Sequence, residues 1–205
     1  LVPKQLAELI DAARKESPVA EALSGFSRVL VGGQRIPEEM INAARDLGVP
    51  VTRTYGAAET AGGCVWDGRP LTGSDVDTRQ NRIALSGPML AGGYLHDPER
   101  TAQSFVTHGG KRWFVSDDTG TITDGVLSVS GRADRVIISG GVKTNLDEVE
   151  SALLAEYNTS GLAVLAVADD IWGEAIGVVS SRALNHSSVG DFLRERFGNS
   201  ARLGW

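Results

Sequence analysis

A strand–helix–strand pattern near the amino terminus constrains the fold of this chain more than any other feature. Residues 28–31 are a short apolar run that predicts a buried strand. Pro37 favours the start of a helix, and Gly48 is typical of the position just after a helix end. Residues 49–54 predict a second strand. Because a helix connects them, the two strands are expected to be parallel, with a right-handed crossover.

Two glycine-containing segments follow these strands. Gly32, Gly33 and Gln34 come after the first strand, and Tyr55-Gly56 comes after the second. Ligands of open parallel sheets bind beyond the carboxyl ends of the strands. The sequence therefore predicts two ligand-binding loops at one edge of the same sheet.

The remainder of the chain predicts a different arrangement. Between Arg82 and Ser130, short β-prone runs alternate with Gly, Pro and Asp turns, which favours a small antiparallel sheet or barrel. After Arg135 the pattern is typical of a small α+β domain. The predicted runs are strands at 82–85, 113–115, 121–123, 127–130, 136–139, 162–167 and 175–180, with helices at 145–156 and 188–196. The expected fold class is α/β.

Composition excludes several classes of function. The net charge of −6 argues against a nucleic-acid partner, and the longest apolar run, 161–168, is too short to span a bilayer. A single cysteine, Cys64, excludes an internal disulfide and fits a cytoplasmic location. The three histidines are dispersed without the spacing of metal ligands, and Cys64 has no histidine near it in sequence, so a packed side chain is favoured over a nucleophile.

The segment from Arg53 to Gly63 combines three residue types that suit a nucleotide site. The ring of Tyr55 could lie flat against a purine, and Gly56 would let the backbone approach a ligand closely. Glu59 supplies a carboxylate, a hard oxygen ligand for Mg²⁺. Taken alone, a Tyr-Gly pair after a strand is more often a simple turn.

Four segments in a fixed order resemble the adenylate-forming superfamily, which contains acyl- and aryl-CoA ligases, luciferases and peptide-synthetase adenylation domains. They are residues 32–34, 55–59, 113–120 and 131–141, and the intervening segment 86–94 matches as well. The resemblance implies that residues 1–133 are the carboxyl-terminal part of a large nucleotide- and acyl-binding domain. Residues 134–205 would be a truncated, small and mobile domain. It also implies a phosphate-binding loop upstream of Leu1 and a catalytic lysine beyond Trp205, so a fragment is expected at both ends.

The resemblance also implies roles for individual residues. Gly32, Gly33 and Gln34 would line the adenine and acyl pocket by their backbone, and Tyr55 would stack on adenine. Thr54 and Gly56 would be further cofactor-binding residues. Glu59 would hold Mg²⁺, and Asp118 would accept hydrogen bonds from the ribose hydroxyls. Arg132 would assist at the ribose or phosphate, and Asp134 would be the hinge between the domains. Gly140 and Gly141 would line the path of CoA.

Two positions depart from the pattern of the superfamily. Ala58 stands where a Thr or Ser usually precedes the glutamate, which removes one hydroxyl ligand of the α-phosphate. Asp117 adds a negative charge beside Asp118. Structural alternatives remain open here: Asp117-Asp118 could form a hairpin loop, and Gly140-Gly141 could merely close a turn.

Two segments narrow the resemblance to o-succinylbenzoate–CoA ligases. Residues 1–6 and 59–71 are similar to segments of those enzymes. This implies ATP-dependent activation of o-succinylbenzoate and transfer to CoA in menaquinone biosynthesis, with ATP, Mg²⁺, CoA and a small carboxylic acid as cofactor and partners. Another acyl- or aryl-CoA ligase is the alternative enzyme, and a non-catalytic nucleotide-binding remnant is the alternative of another class. The sequence does not decide between a monomer and a homo-oligomer.

Overall fold

The structure is a computed structural model that describes residues 1–159 and 161–204 of the 205-residue chain. It separates into two compact units. The first contains Leu1–Ser116 and Thr121–Ser128, and the second contains Asp117–Gly120 and the chain from Val129 onward. The boundary expected between residues 133 and 134 separates a domain that moves from one that does not. The division into compact units does not test it, so it stays a prediction. Ser160 and Trp205 of the predicted second domain lie outside the described residues.

The first unit begins with the predicted strand–helix–strand arrangement. Its elements are α1 (Pro3–Lys15), α2 (Ser17–Ser24), β1 (Val29–Val31), α3 (Glu38–Asp46) and β2 (Val51–Ala57). β1 and β2 pair in parallel, with Val29 opposite Val51, as expected from the connecting helix. α1 buries Leu6, Ile10 and Ala13, a spacing that places the three side chains on one helical face.

β2 runs further than the sequence predicts. We expected a loop at Tyr55-Gly56, but both residues lie within β2 and pair with the antiparallel strand β3 (Gly62–Trp66). The register shifts between Tyr55 and Gly56, so a bulge interrupts the ladder there. A short 3₁₀ turn, Ala58–Thr60, connects the two strands. With β4 (Arg69–Pro70), the sheet has the order β1-β2-β3-β4.

A second sheet has the order β5-β6-β8-β7, and a further strand, β9, pairs with β8. The elements of this region are β5 (Asp75–Arg79), β6 (Arg82–Ser86), α4 (Pro98–Ser104), β7 (Phe105–His108), β8 (Lys111–Thr123) and β9 (Val126–Arg132). The predicted sheet is thus confirmed in its open form. Two predicted runs, 113–115 and 121–123, are parts of the single strand β8, which rules out the structural alternative of a hairpin loop at Asp117-Asp118.

Apolar side chains of this second sheet and of β3 form one cluster of buried residues. Cys64 belongs to it, and burial raises the pKa of its thiol, which agrees with a packed residue rather than a nucleophile. The other members are Val65, Ile83, Leu85, Phe105, Phe114 and Leu127.

The second unit confirms the predicted α+β pattern. Its elements are a 3₁₀ turn (Ala133–Arg135), β10 (Val136–Ser139), β11 (Val142–Asn145), α5 (Leu146–Glu156), β12 (Leu162–Asp169), β13 (Gly173–Ser180) and α6 (His186–Phe197). The strands form a sheet in the order β11-β10-β13-β12. Buried residues of α5 and α6, including Val149, Leu153 and Leu193, pack with Ile137 and Ile176 of the sheet. None of the helices among the described residues combines the length and the apolar character that a bilayer-spanning helix needs.

Candidate functional site

Thr54 lies between two glycines at the end of the parallel pair. A Cβ added to Gly32 would lie 2.3 Å from Thr54 Oγ1 and 2.7 Å from the Thr54 carbonyl oxygen. A Cβ added to Gly63 would lie 2.8 Å from Thr54 Cβ. The absence of side chains at both positions is therefore required by the protein's own packing. Gly32, Gly33 and Thr54 line a cavity of about 410 Å³ together with Gly63 and Trp66.

Tyr55 is half-buried and its phenol is held by the neighbouring sheet. Tyr55 Oη lies 3.3 Å from Ser116 Oγ, and Ser116 Oγ donates to the carbonyl oxygen of Ile83 at 3.1 Å. The ring packs against the buried cluster that contains Val65 and Leu85. The ring is thus held at its hydroxyl end and by packing against buried apolar side chains.

Gly56 has a structural role in addition to the one expected from the sequence. A Cβ at this position would lie 2.0 Å from the carbonyl oxygen of Gly62 and 2.9 Å from the Cα of Gly63. Both contacts are with the backbone of β3, which cannot rotate away as a side chain can. Only glycine lets β2 and β3 approach this closely at the bulge.

Glu59 lies in the 3₁₀ turn after β2 and is half-buried. Tyr94 Oη donates a hydrogen bond of 2.6 Å to Glu59 Oε1, and the N–H of Ala91 donates to the Glu59 carbonyl oxygen at 2.8 Å. Two points on Glu59, one in the side chain and one in the backbone, are thus held by the segment Ala91–Tyr94. Burial, followed by the hydrogen bond to Glu59, raises the pKa of Tyr94 above its ordinary value, so the phenol remains a donor at neutral pH.

The donor set at Glu59 fits a magnesium ion that is bound largely by its substrate. Within residues 1–159 and 161–204, no three His, Cys, Asp or Glu side chains come together as a metal cluster. Mg²⁺ commonly keeps several waters and binds one or two carboxylates plus substrate phosphates. A single carboxylate such as Glu59 satisfies that requirement without further protein ligands.

In the second unit, Arg132 interacts with three carboxylates. Its Nε and Nη2 donate to the two oxygens of Asp134 at 2.8 and 2.7 Å, a bidentate geometry. Arg132 also lies 3.7 Å from an oxygen of Asp117 and 3.7 Å from an oxygen of Asp118. Its backbone N–H donates to Asp147 Oδ2 at 2.8 Å, which fixes the main chain at this point.

The carboxylates around Arg132 favour its charged form. The pKa of Arg132 is raised, first by its hydrogen bonds to Asp134 and further by the charges of Asp134, Asp118 and Asp117. The same hydrogen bonds lower the pKa of Asp134, against a smaller opposing effect of burial. Arg132 therefore offsets the extra negative charge that Asp117 introduces beside Asp118.

The pair of Arg132 and Asp134 predicts a small pH dependence of stability. The pKa of Asp134 is lowered in the folded state. The ionised carboxylate therefore contributes to the free energy of unfolding above the pKa that Asp134 has in the unfolded chain, and this contribution is lost as pH falls through its pKa in the folded state. Asp134→Asn is expected to lower the free energy of unfolding at pH 7 by at most about 1 kcal/mol, since the pair is exposed to solvent. Urea unfolding should show a larger difference at pH 7 than at pH 3, because the contribution of Asp134 decreases as pH falls below the pKa of Asp134 in the unfolded chain. Asp170→Asn, at an exposed aspartate, is the control and should change neither value.

Gly140 and Gly141 connect β10 and β11 with positive φ values of +57° and +83°. A Cβ at Gly140 would lie 2.3 Å from the indole ring of Trp172, whereas nothing lies within 4 Å of a Cβ at Gly141. The turn therefore requires both glycines for its backbone, and the first also for packing. Their expected place along the path of CoA stays a prediction.

The chain matches no family model. It is 38% identical over 180 residues to a Mycobacterium tuberculosis protein named "probable 2-succinylbenzoate–CoA ligase", a match that covers 86% of this chain and 45% of that protein. It is 30% identical over 195 residues to the 2-methylpropanoate–CoA ligase CCL4 of Humulus lupulus, covering 77% of this chain and 34% of that protein. The solved structure of wild-type E. coli MenE with a bound m-phenylether-linked analogue of OSB-AMS matches with a TM-score of 0.74. That match has 26% identity and covers 99% of this chain and 45% of the MenE chain.

The chain belongs to the adenylate-forming superfamily. It spans 45% of the length of the mycobacterial relative. The ordered motifs that suggested the superfamily thus identified it correctly, with o-succinylbenzoate–CoA ligases among its relatives.

The predicted superfamily residues fall into separate groups. In the first unit, Gly32, Gly33 and Thr54 share the cavity described above, and Gln34 is exposed beside it. In the second unit, Asp118 lies within an ion-pair distance of Arg132. The binding and catalytic roles of these residues stay predictions.

Sequence reasoning missed two residues that support the candidate site. Tyr94, which binds Glu59, lies within the matching segment 86–94, and its Gly92-Gly93-Tyr94 sequence was the only local signal. Ser116, which approaches Tyr55, stands at the first position of the segment Ser116-Asp117-Asp118. Both contacts join residues far apart in sequence.

Proposed function

We propose that the intact protein is an acid–thiol ligase that activates o-succinylbenzoate with ATP and transfers it to CoA, as one step of menaquinone biosynthesis. The observation that carries this proposal is the 38% identity to the protein named 2-succinylbenzoate–CoA ligase. The cofactor is Mg²⁺ and the partners are ATP, CoA and the carboxylic acid. A cytoplasmic location follows from this metabolic role.

The reaction has two steps. In the first, a carboxylate oxygen of the acid attacks the α-phosphorus of ATP, the bond from that phosphorus to the bridging oxygen breaks, and pyrophosphate leaves. In the second, the CoA sulfur attacks the acyl carbon of the adenylate, the thiol proton is lost, and AMP leaves. The acid, ATP and CoA are thus converted to acyl-CoA, AMP and pyrophosphate.

Residues of the first unit would bind the nucleotide base and the metal. The ring of Tyr55, restricted by Ser116, would stack on adenine, and the backbone of Gly32 and Gly33 would line the pocket beside Thr54. Glu59 would be the protein ligand of Mg²⁺, which supplies charge neutralisation at the phosphates. The hydrogen bond from the N–H of Ala91 to the carbonyl oxygen of Glu59 holds the turn that carries Glu59.

Residues of the second unit would bind the ribose and permit the change between the two steps. Asp118 would accept hydrogen bonds from the ribose hydroxyls, and Arg132 would balance its charge and assist at the ribose or phosphate. Asp134, held by Arg132, would be the hinge about which residues 134–205 move. Gly140 and Gly141 would then line the path of the CoA arm.

Asp118→Ala in the intact protein is expected to lower kcat/KM for ATP roughly 10- to 100-fold, because hydrogen bonds to a charged acceptor contribute about 1.5–3 kcal/mol. The measurement is steady-state kinetics with ATP varied. Asp170→Ala, at an exposed position of the same unit, is the control and should leave kcat/KM unchanged. Equal values for Asp118→Ala and the parent protein would remove Asp118 from the ribose site.

The proposed function is tested by ATP–pyrophosphate exchange with the intact protein. We expect exchange with o-succinylbenzoate and much slower exchange with benzoate or fatty acids. No exchange with any acid would support the non-catalytic nucleotide-binding remnant, for which Ala58 and Asp117 are the relevant departures.

One observation supports a second candidate for the acyl substrate. The chain is 30% identical to a relative named 2-methylpropanoate–CoA ligase, so a short branched acid is a second candidate. Including 2-methylpropanoate in the exchange assay decides between the two. Faster exchange with that acid than with o-succinylbenzoate would replace the substrate and keep the reaction class.

A further inference from the structure

Tyr94 makes the single hydrogen bond that restrains the Glu59 side chain within the described part of the chain. The bond joins Tyr94 Oη to Glu59 Oε1 at 2.6 Å, a distance typical of a hydroxyl that donates to a carboxylate. The other carboxylate oxygen, Oε2, accepts no hydrogen bond among the described residues. The two oxygens of Glu59 are therefore in different environments.

Tyr94 is itself held in place by its surroundings. Its backbone N–H donates to Thr101 Oγ1 at 2.9 Å. Its ring meets the ring of Phe105 edge-on, with centroids 5.8 Å apart, and the guanidinium of Arg100 lies 4.1 Å from the ring centroid. These three contacts leave the phenol little freedom to leave Glu59.

The segment that carries Tyr94 is also tied to the sheet. Arg112 of β8 donates to the carbonyl oxygens of Ala91 and Gly92 at 2.7 and 3.0 Å. Ala91 in turn donates to the Glu59 carbonyl oxygen. The side chain and the backbone of Glu59 are consequently held by one anchored segment.

We propose that Tyr94 is a positioning residue for Glu59: it occupies Oε1 and directs Oε2 alone toward Mg²⁺. This rests on the proposed function, because it assumes that Glu59 is the metal ligand. A free glutamate loses rotamer entropy when it is fixed by a metal, and a carboxylate that is already oriented loses less. Removal of a group that hydrogen-bonds to a metal ligand typically lowers metal affinity or activity by about 10- to 100-fold.

The experiment compares Tyr94→Phe with the parent in the intact protein. Tyr94→Phe retains the ring and its contacts with Phe105 and Arg100 and removes only the hydroxyl. We expect the Mg²⁺ concentration for half-maximal ATP–pyrophosphate exchange to rise about 10- to 100-fold. Binding of Mn²⁺ in the presence of ATP, measured by electron paramagnetic resonance, should weaken by a similar factor without any turnover. Tyr157→Phe, a partly buried tyrosine of the second unit, is the control and should change neither quantity.

A double substitution separates positioning from a merely structural role. If Tyr94 acts through Glu59, then Tyr94→Phe should have no further effect on Mn²⁺ binding when Glu59→Gln is already present. A structural role would lower binding by the same factor in both backgrounds, and that result would overturn the proposal. The proposal would also be overturned if the parent protein shows exchange and Tyr94→Phe has the same Mg²⁺ dependence as the parent. Lack of exchange by the parent would instead contradict the proposed function.

Discussion

Glu59→Gln in the intact protein is expected to lower acyl-adenylate formation by at least about 100-fold, beyond the typical effect of a group that merely supports a metal ligand. The substitution keeps the size of the side chain and can still accept the hydrogen bond from Tyr94. It removes the negative charge of the carboxylate through which Glu59 would bind Mg²⁺. Transfer to CoA from supplied acyl-adenylate should change much less, since pyrophosphate has already left.

The two half-reactions are measured separately, by ATP–pyrophosphate exchange and by acyl-CoA formation from the adenylate. Glu99→Gln is the matched control, because Glu99 is an exposed glutamate in the first turn of α4. It should affect neither step. An equal loss of both steps in Glu59→Gln would assign Glu59 to folding rather than to the metal.

Gly56→Ala is expected to destabilise the protein by at least about 3 kcal/mol, the upper end of the range for overpacked sites. The added methyl group would lie 2.0 Å from the Gly62 carbonyl oxygen, so β2 and β3 would have to separate at the bulge. Tyr55 precedes Gly56 in β2 and would be displaced with it. Urea unfolding of the intact protein, followed by circular dichroism, measures the loss.

Gly190→Ala is the control for the same chemical change. Gly190 lies in α6, and nothing lies within 4 Å of a Cβ at that position. Alanine there should be neutral or stabilise the helix by roughly 0.5–1 kcal/mol. A loss in Gly56→Ala no larger than about 1 kcal/mol would mean that the bulge adapts to a side chain.

The local sequence pattern was sufficient to predict the helices and strands whose apolar side chains recur at regular spacing. The run Val29–Val31 and the helix after Pro37 were predictable from apolar spacing and from terminal signals. β8 was not, because Asp117 and Asp118 are poor strand formers and resemble a turn. Its continuity depends on the neighbouring buried residues Ser116 and Thr119, which are 4% and 6% exposed and are held by hydrogen bonds to other strands.

Sequence reasoning could select candidate residues where the expected chemistry depends on a single residue type at a single position. Asp118 was expected at the ribose and Arg132 at the ribose or phosphate; the structure places the two side chains 3.7 Å apart, and their binding roles stay predictions. The bond between Tyr94 and Glu59 joins residues 35 positions apart, and no local spacing encodes it. Sequence reasoning selected Gly32 and Gly56 for the close approach of a ligand, which stays a prediction, whereas the structure shows that both glycines make room for the backbone of the adjacent strand.

The packing of Thr54 between two glycines has a consequence for redesign of the adjacent cavity. At Gly63, the three atoms nearest to an added Cβ all belong to the side chain of Thr54, so a simultaneous Thr54→Gly would remove these contacts. At Gly32, an added Cβ would also meet the Thr54 carbonyl oxygen at 2.7 Å, which no substitution removes. The shape of this cavity can therefore be remodelled through paired changes at positions 54 and 63, while position 32 has to be kept constant.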